Sequence, residues 1–354
     1  MTWVPGMELR EDWLAQVQEE ILDPEREIVD PHHHLWQRGG TGYELEQLRA
    51  DTQSGHNVVQ TVYIECRSYY DPTADARFAP VGETAQVTAM ARETADDPAQ
   101  ISGIIAFADL RDPDLDAVID AHLEAGQGLV KGFRQSGACD PEPEGLAIPG
   151  RGAPGLYADP DFRHGLARLG DRGLTYDTWH YHHQAEDFLD LVKAVPGTTI
   201  ILDHFSTPLG VGRFAGQREA IFAKWQKDME TLAACPNVVA KLGGLAMPDN
   251  GWGWFEDEQP PSSDDFVAAQ GAWYHHMIGC FGADRCMFES NFPVDRTAIS
   301  YPVLWNGFKK IAADYDEGAR DALFAGTARR VYTLPSTRPP KRRLSLRMPP
   351  IQRS

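Results

Sequence analysis

Three consecutive histidines, His32, His33 and His34 in IVDPHHHLWQ, are the residues of this 354-residue chain best suited to chemistry. On an extended strand alternate side chains share a side, so His32 and His34 converge while His33 faces away. Two converging imidazoles are a ready pair of ligands for a divalent metal. The plainer alternative is a set of histidines satisfied by local hydrogen bonds. His204, in TIILDHFSTP, stands just past another apolar run. TWHYHHQ offers His180, His182 and His183; strand parity groups His180 with His182, and His182 is taken as a substrate contact. His275 and His276 lie within a helical pattern and read as structural or exposed.

Charged groups gather at the ends of the same kind of run. In FESNFPVDR, Glu289 and Asn291 share a side, and Asp295 follows four residues beyond Asn291. Glu65 closes VVQTVYIE and Arg134 follows LVKGF. An arginine so placed can hold a substrate carboxylate through two parallel hydrogen bonds. Glu65 and Arg134 therefore read either as substrate contacts or as an ion pair across the mouth of a site. The five cysteines are scattered without a CxxC pair, which supports neither a disulfide framework nor a cysteine zinc site. No nucleophile elbow is present.

These groups need a scaffold that brings strand ends together. Eight short apolar runs occur at 27–31, 58–65, 101–108, 129–133, 174–179, 199–203, 237–242 and 286–289, with helical patterns between them. Alternating strand and helix implies parallel strands with right-handed crossovers, and eight repeats predict a closed α/β (β/α)8 barrel. A doubly wound sheet competes, but no GxGxxG or GxxxxGK[ST] turn follows any strand. Residues 1–26, with LREDWLAQVQEEIL, are predicted as an N-terminal helical extension, 27–335 as the barrel and 336–354 as a basic, Pro-rich flexible tail. Long insertions follow the fourth and seventh strands, on the face where barrel chemistry occurs; Trp252, Trp254 and Phe255 suit either a cyclic substrate or lid packing.

A net charge of −19 argues against a nucleic-acid partner for the body of the protein and for a soluble, cytoplasmic life. No apolar run approaches the roughly 20 residues of a membrane span, and MTWVPGMELREDW lacks the form of a signal peptide.

Taken in order, VDPHHHLW, ILDHFSTP and RCMFESNFPV resemble the amidohydrolase superfamily, specifically its amidohydrolase-2 branch of sugar lactonases, pyrone-dicarboxylate hydrolase and aromatic-acid decarboxylases. The likeness covers roughly residues 27–334. It implies His32 and His34 as the metal pair and His204 as the sixth-strand histidine, acting on a small-molecule substrate. Zinc or manganese is the implied cofactor, although some lactone-opening members work without metal. Family members are commonly dimers or larger, so a homo-oligomer is implied. The eighth strand departs from the family's Gly-Ser-Asp-Trp-Pro, reading Glu289-Ser290-Asn291-Phe292-Pro293. Asn cannot take a proton at neutral pH, so Glu289, or else Asp295, is expected to assume the acid–base role. The resulting expectation is a hydrolase opening a lactone or other cyclic ester or amide of an acidic or aromatic small molecule. A decarboxylase or lyase of an aromatic acid and a non-catalytic binding barrel are the alternatives.

Overall fold

The computed structural model describes residues 9–38 and 41–336. Eight parallel strands follow one another around one sheet: β1 (Glu27–His33), β2 (Asn57–Ile64), β3 (Gln100–Ala106), β4 (Val130–Arg134), β5 (Thr175–Thr178), β6 (Ile200–Leu202), β7 (Val238–Leu242) and β8 (Cys286–Phe288). Each expected apolar run is a strand, and the intervening helices cover the outside as a (β/α)8 barrel requires. The runs are apolar on both sides because both sides are buried. Ile28, Tyr63 and Ile104 face the helical shell, while Val29, Val62, Ile64, Ile105, Ile201, Val239 and Met287 fill the barrel axis. Tyr332 and Leu334 plug the bottom of that inner cluster.

The seam between β1 and β8 closes just beyond the end of β8. The His34 amide donates to the Phe292 carbonyl (2.8 Å) and the Asn291 amide to the His32 carbonyl (3.0 Å). The Ser290 amide donates to the buried Asp30 carboxylate (3.0 Å), which also accepts from the Tyr301 hydroxyl (3.0 Å). The polypeptide that shuts the barrel is thus the polypeptide that carries the histidine pair and the departing eighth-strand motif.

Two local features differ from expectation. After β1 the chain forms a small hairpin, Trp36–Arg38 paired with Thr41–Tyr43, which carries Trp36 over the strand ends. The N-terminal helix is only one turn, α1 (Glu11–Leu14). Tertiary hydrogen bonds hold the following residues in an irregular strap instead. The Glu19 carboxylate accepts from the Ser263 amide and hydroxyl (2.7 and 2.6 Å), and the Leu22 amide donates to Asn306. Lys309 donates to the carbonyls of Leu22 and Asp23, each at 2.8 Å. A short isolated helix is marginal, so these contacts decide the conformation. The proposed tail, 336–354, lies outside the described residues apart from Ser336, as do residues 1–8. Among the described residues no helix is long and apolar enough to cross a membrane.

The strap gives a direct test. Lys309→Met keeps the aliphatic stem but leaves two carbonyls without their donor, and should cost about 1–3 kcal/mol of stability in chemical denaturation. An unchanged denaturation midpoint would mean that the strap contributes nothing to the barrel's stability.

Candidate active site

The strand ends converge on a cavity of about 660 Å³ at the C-terminal face. His34, Glu65, Arg134, His204 and Asn291 line it, so five of the residues singled out in the sequence meet there. Trp36, Phe107, Trp179, Met247 and Val294 supply apolar walls. The insertion after β4 adds Ile148 and Arg151. That insertion is pinned to the one after β7, because the Asp249 carboxylate accepts the Ala147 and Ile148 amides (2.5 and 2.9 Å).

Beneath the floor, Glu289 holds the His204 imidazole by a hydrogen bond and lies close to the His32 ring without bonding to it. One carboxylate oxygen lies 2.8 Å from His32 Nδ1 and the other 2.7 Å from His204 Nδ1. His34 Nδ1 lies 2.9 Å from the Ile64 carbonyl. A carbonyl and a carboxylate can only accept, so the Nδ1 atoms of His34 and His204 carry protons, whereas His32 Nδ1 faces the Lys241 ammonium at 3.3 Å, which can only donate, and is the acceptor there. Burial first, and the neighbouring cations Lys241 and Arg134 after it, depress the pKa of His32 and of His34 well below the usual value, so both rings are neutral. His32 therefore carries its proton on Nε2 and donates it to His34 Nε2 at 3.3 Å. Lys241 and the Ile64 carbonyl fix the two tautomers from outside, and a divalent metal held by the pair would take the place of that one shared proton. His32 also belongs to a second group, with Asp203 and His204, whose candidate ligand atoms lie within 4.8 Å of one another. Neither Asp203 oxygen has a hydrogen-bond donor. The donor set therefore fits a divalent metal.

His204 is in the opposite state. Burial works against its charge, but Glu289, and Asp203 after it, overcome that and raise its pKa. With Nδ1 engaged by Glu289, Nε2 is the nitrogen left to serve the cavity. The backbone that delivers this ring is strained: His204, Phe205, Ser206 and Thr207 all have positive φ, at 54°, 57°, 57° and 38°. Such residues each cost of order 1–3 kcal/mol and persist only where surroundings over-determine them. Here the Trp225 indole donates to the Phe205 carbonyl (2.8 Å) and the Trp179 indole to Thr207 Oγ1 (2.7 Å). Opposite, Gly244 has φ +80°, and a Cβ there would lie 2.4 Å from His204 Nδ1. Gly243 likewise leaves room for Glu289.

Four of the residues singled out in the sequence are placed as follows. Glu289 is fully buried under the rings and does not line the cavity; its hydrogen bond goes to His204 Nδ1. Asp295 is also beneath the floor; its oxygens accept from Asn291 Nδ2 (2.9 Å) and the Ala246 amide (3.1 Å), and burial pushes its pKa up to about 7. Arg134 takes the ion-pair form of its two readings, giving its Nε and one terminal nitrogen to Glu65 (2.8 Å to the carboxylate, 2.5 Å to the carbonyl), so the Nε edge of its fork is occupied. His182 lies away from the cavity, accepting the Leu209 amide at 3.2 Å and packing on Phe214. Trp252 and Trp254 stack together, with Arg218 over Trp252, as wall packing.

Sequence reasoning missed Asp203, Lys241 and Asp177. Lys241 is completely buried on β7, 2.7 Å from Asp177 and 3.4 Å from Asp203. Burial opposes its charge, but the two carboxylates raise its pKa. The Tyr332 hydroxyl completes the network by donating to Asp177 (2.6 Å). The available signal was a lysine in the middle of an apolar strand, VVAKL, and an aspartate directly before His204.

Residues 29–334 match the family model described as Amidohydrolase. The chain is 32% identical over 328 residues to the uncharacterized protein y4mH of Sinorhizobium fredii, covering 86% of this chain and 98% of that one. It is 27% identical over 312 residues to L-fucono-1,5-lactonase of Burkholderia multivorans, covering 87% and 96%. The crystal structure of a Burkholderia multivorans amidohydrolase with bound zinc has the same fold, with a TM-score of 0.69 at 23% identity over 87% of this chain and 99% of that one.

Glu289→Gln tests the hold on His204. The neutral amide removes the charge that favours the protonated ring, so the variant should fold normally by circular dichroism yet lose about 10²-fold or more in turnover. Gly244→Ala should be worse than its position in a loop suggests, losing both stability and activity, because the new methyl group strikes His204.

Proposed function

As the chain belongs to the amidohydrolase family of enzymes, we propose that it is a hydrolase opening a lactone, or another cyclic ester or amide, of a small molecule. The observation that carries this reading is the meeting, at the same strand ends, of a neutral His32–His34 pair and a His204 held by Glu289 with its pKa raised. His32 and His34 would hold a divalent metal through their Nε2 atoms, with Asp203 available to complete the set. When bound, such a metal supplies Lewis-acid polarisation and lowers the pKa of water toward neutrality.

The chain's own residues account for the rest. Ring opening adds water across the acyl C–O bond: hydroxyl joins the carbonyl carbon, the C–O bond breaks, and the ring oxygen takes up a proton. His204 is the proton-loaded group at the floor, so its Nε2 is suited to steady the developing oxyanion and then to protonate the departing oxygen. Asn291 serves as a neutral polar contact, its amide held by Asp295. The two cavity-lining carboxylates, Glu65 and Asp109, are paired with Arg134 and Arg111. The Trp36 and Trp179 walls suit a ring-shaped substrate and exclude water around it.

The test is turnover of a lactone panel followed by proton release, together with elemental analysis of protein purified without chelators. Near-stoichiometric zinc or manganese, lost in His32→Ala, is expected. His204→Ala should reduce kcat/KM about 10²-fold or more. If lactones fail while an aromatic acid releases carbon dioxide, the decarboxylase alternative replaces this one.

The pH profile is a separate test. The protonated form of His204 is lost as pH rises through its raised pKa, so kcat/KM should fall on the alkaline side. In Glu289→Gln the carboxylate that raises that pKa is gone, and the alkaline limb should move to lower pH. A limb that stays in place would exclude His204 as the acid.

A further inference from the structure

The cavity is positively biased in a protein that is otherwise strongly acidic. The chain has 33 Lys and Arg against 52 Asp and Glu. Yet Arg67, Arg111, Arg134 and Arg151 all line this one cavity, against two carboxylates. Both carboxylates are consumed: Glu65 by Arg134, and Asp109 by the forked edge of Arg111 (2.9 and 2.8 Å). Arg67 makes no ion pair among the described residues; its guanidinium lies 5.6 Å over the Phe107 ring. Its backbone is left-handed, with φ 62°, and the nearby Tyr69 has φ 55°. A non-glycine residue held in that region at a cavity wall is the kind of strain that positions a ligand clamp.

We propose that Arg67 is a specificity-determining residue that binds a carboxylate on the substrate, remote from the ester that is opened. This rests on the hydrolase reading and narrows it to lactones that carry a fixed negative charge. Arg134 lies closer to the floor, but the Nε edge of its fork is already occupied by Glu65. Arg67 retains its fork, the geometry that reads a carboxylate through two parallel hydrogen bonds. A cavity with surplus positive charge also concentrates anions against the repulsion of an acidic surface.

The experiment compares glucaro-1,4-lactone with glucono-1,4-lactone, which differ by a carboxylate in place of a hydroxymethyl group, in wild type, Arg67→Met and Arg67→Lys. Wild type should favour the carboxylated lactone. Arg67→Met should raise its KM about tenfold or more, with kcat and the neutral lactone little changed. Arg67→Lys should recover part of the loss. Equal wild-type efficiency on the two lactones, or an equal effect of Arg67→Met on both, would overturn the proposal. If neither lactone is turned over, the hydrolase reading loses support and binding decides the anion site independently. The two lactones themselves, titrated by tryptophan fluorescence, should then differ in Kd, with only glucaro-1,4-lactone weakened by Arg67→Met. Indistinguishable affinities, or none for either, would reject it.

Discussion

One buried carboxylate facing one buried ammonium across the histidines governs this site. Glu289 bonds His204 through Nδ1 and raises its pKa, while Lys241 approaches Nδ1 of His32 and helps to keep that ring neutral. The two rings lie side by side, with centroids 4.6 Å apart, yet are driven to opposite charge states. A ligand-type ring and an acid-type ring therefore arise from two buried charges of opposite sign. That division depends on position: Glu289 must remain below the rings and dry, because water reaching it would weaken its hydrogen bond to His204.

Much of the surrounding architecture follows from that demand. Two adjacent glycines, Gly243 and Gly244, leave the space in which the glutamate and the His204 ring sit. The left-handed run from His204 to Thr207 is kept by two indole donors. Lys241, with Asp177, Asp203 and Tyr332, forms a buried polar column along the barrel axis, where unpaired charge would be expensive. The barrel seam is closed by the backbone of His32, His34, Asn291 and Phe292, so loss of closure and loss of site geometry are one event.

The fold was legible because each strand is short, apolar on both sides and separated from the next by a helical pattern. The histidine pair was legible because strand parity survives as far as His34. Parity could not say how deep a side chain ends. Glu289 and Asn291 share a side, yet Asn291 lines the cavity and Glu289 lies one layer below it, the difference between substrate contact and support. For Arg134 and Glu65 the sequence leaves two readings, substrate contacts or an ion pair, and the packed distance decides for the pair. His182 followed parity past the end of β5, where the chain turns and alternation no longer applies. The one-turn α1 shows the same limit: an amphipathic pattern reports a buried face, while hydrogen bonds from Ser263, Asn306 and Lys309 decide its backbone.

The eighth-strand departure now has a physical reading. Asn291 sits at φ 55°, a conformation Asn tolerates better than most residues, and its amide donates to Asp295. An aspartate side chain there would bring a second carboxylate against Asp295, whose own pKa burial already raises. The amide removes that repulsion and leaves a neutral group in the cavity. The negative charge of this motif thus lies in the layer beneath the mouth, where Glu289 bonds His204. With the mouth cleared of uncompensated carboxylates, the arginines on its walls set the potential that an incoming molecule meets.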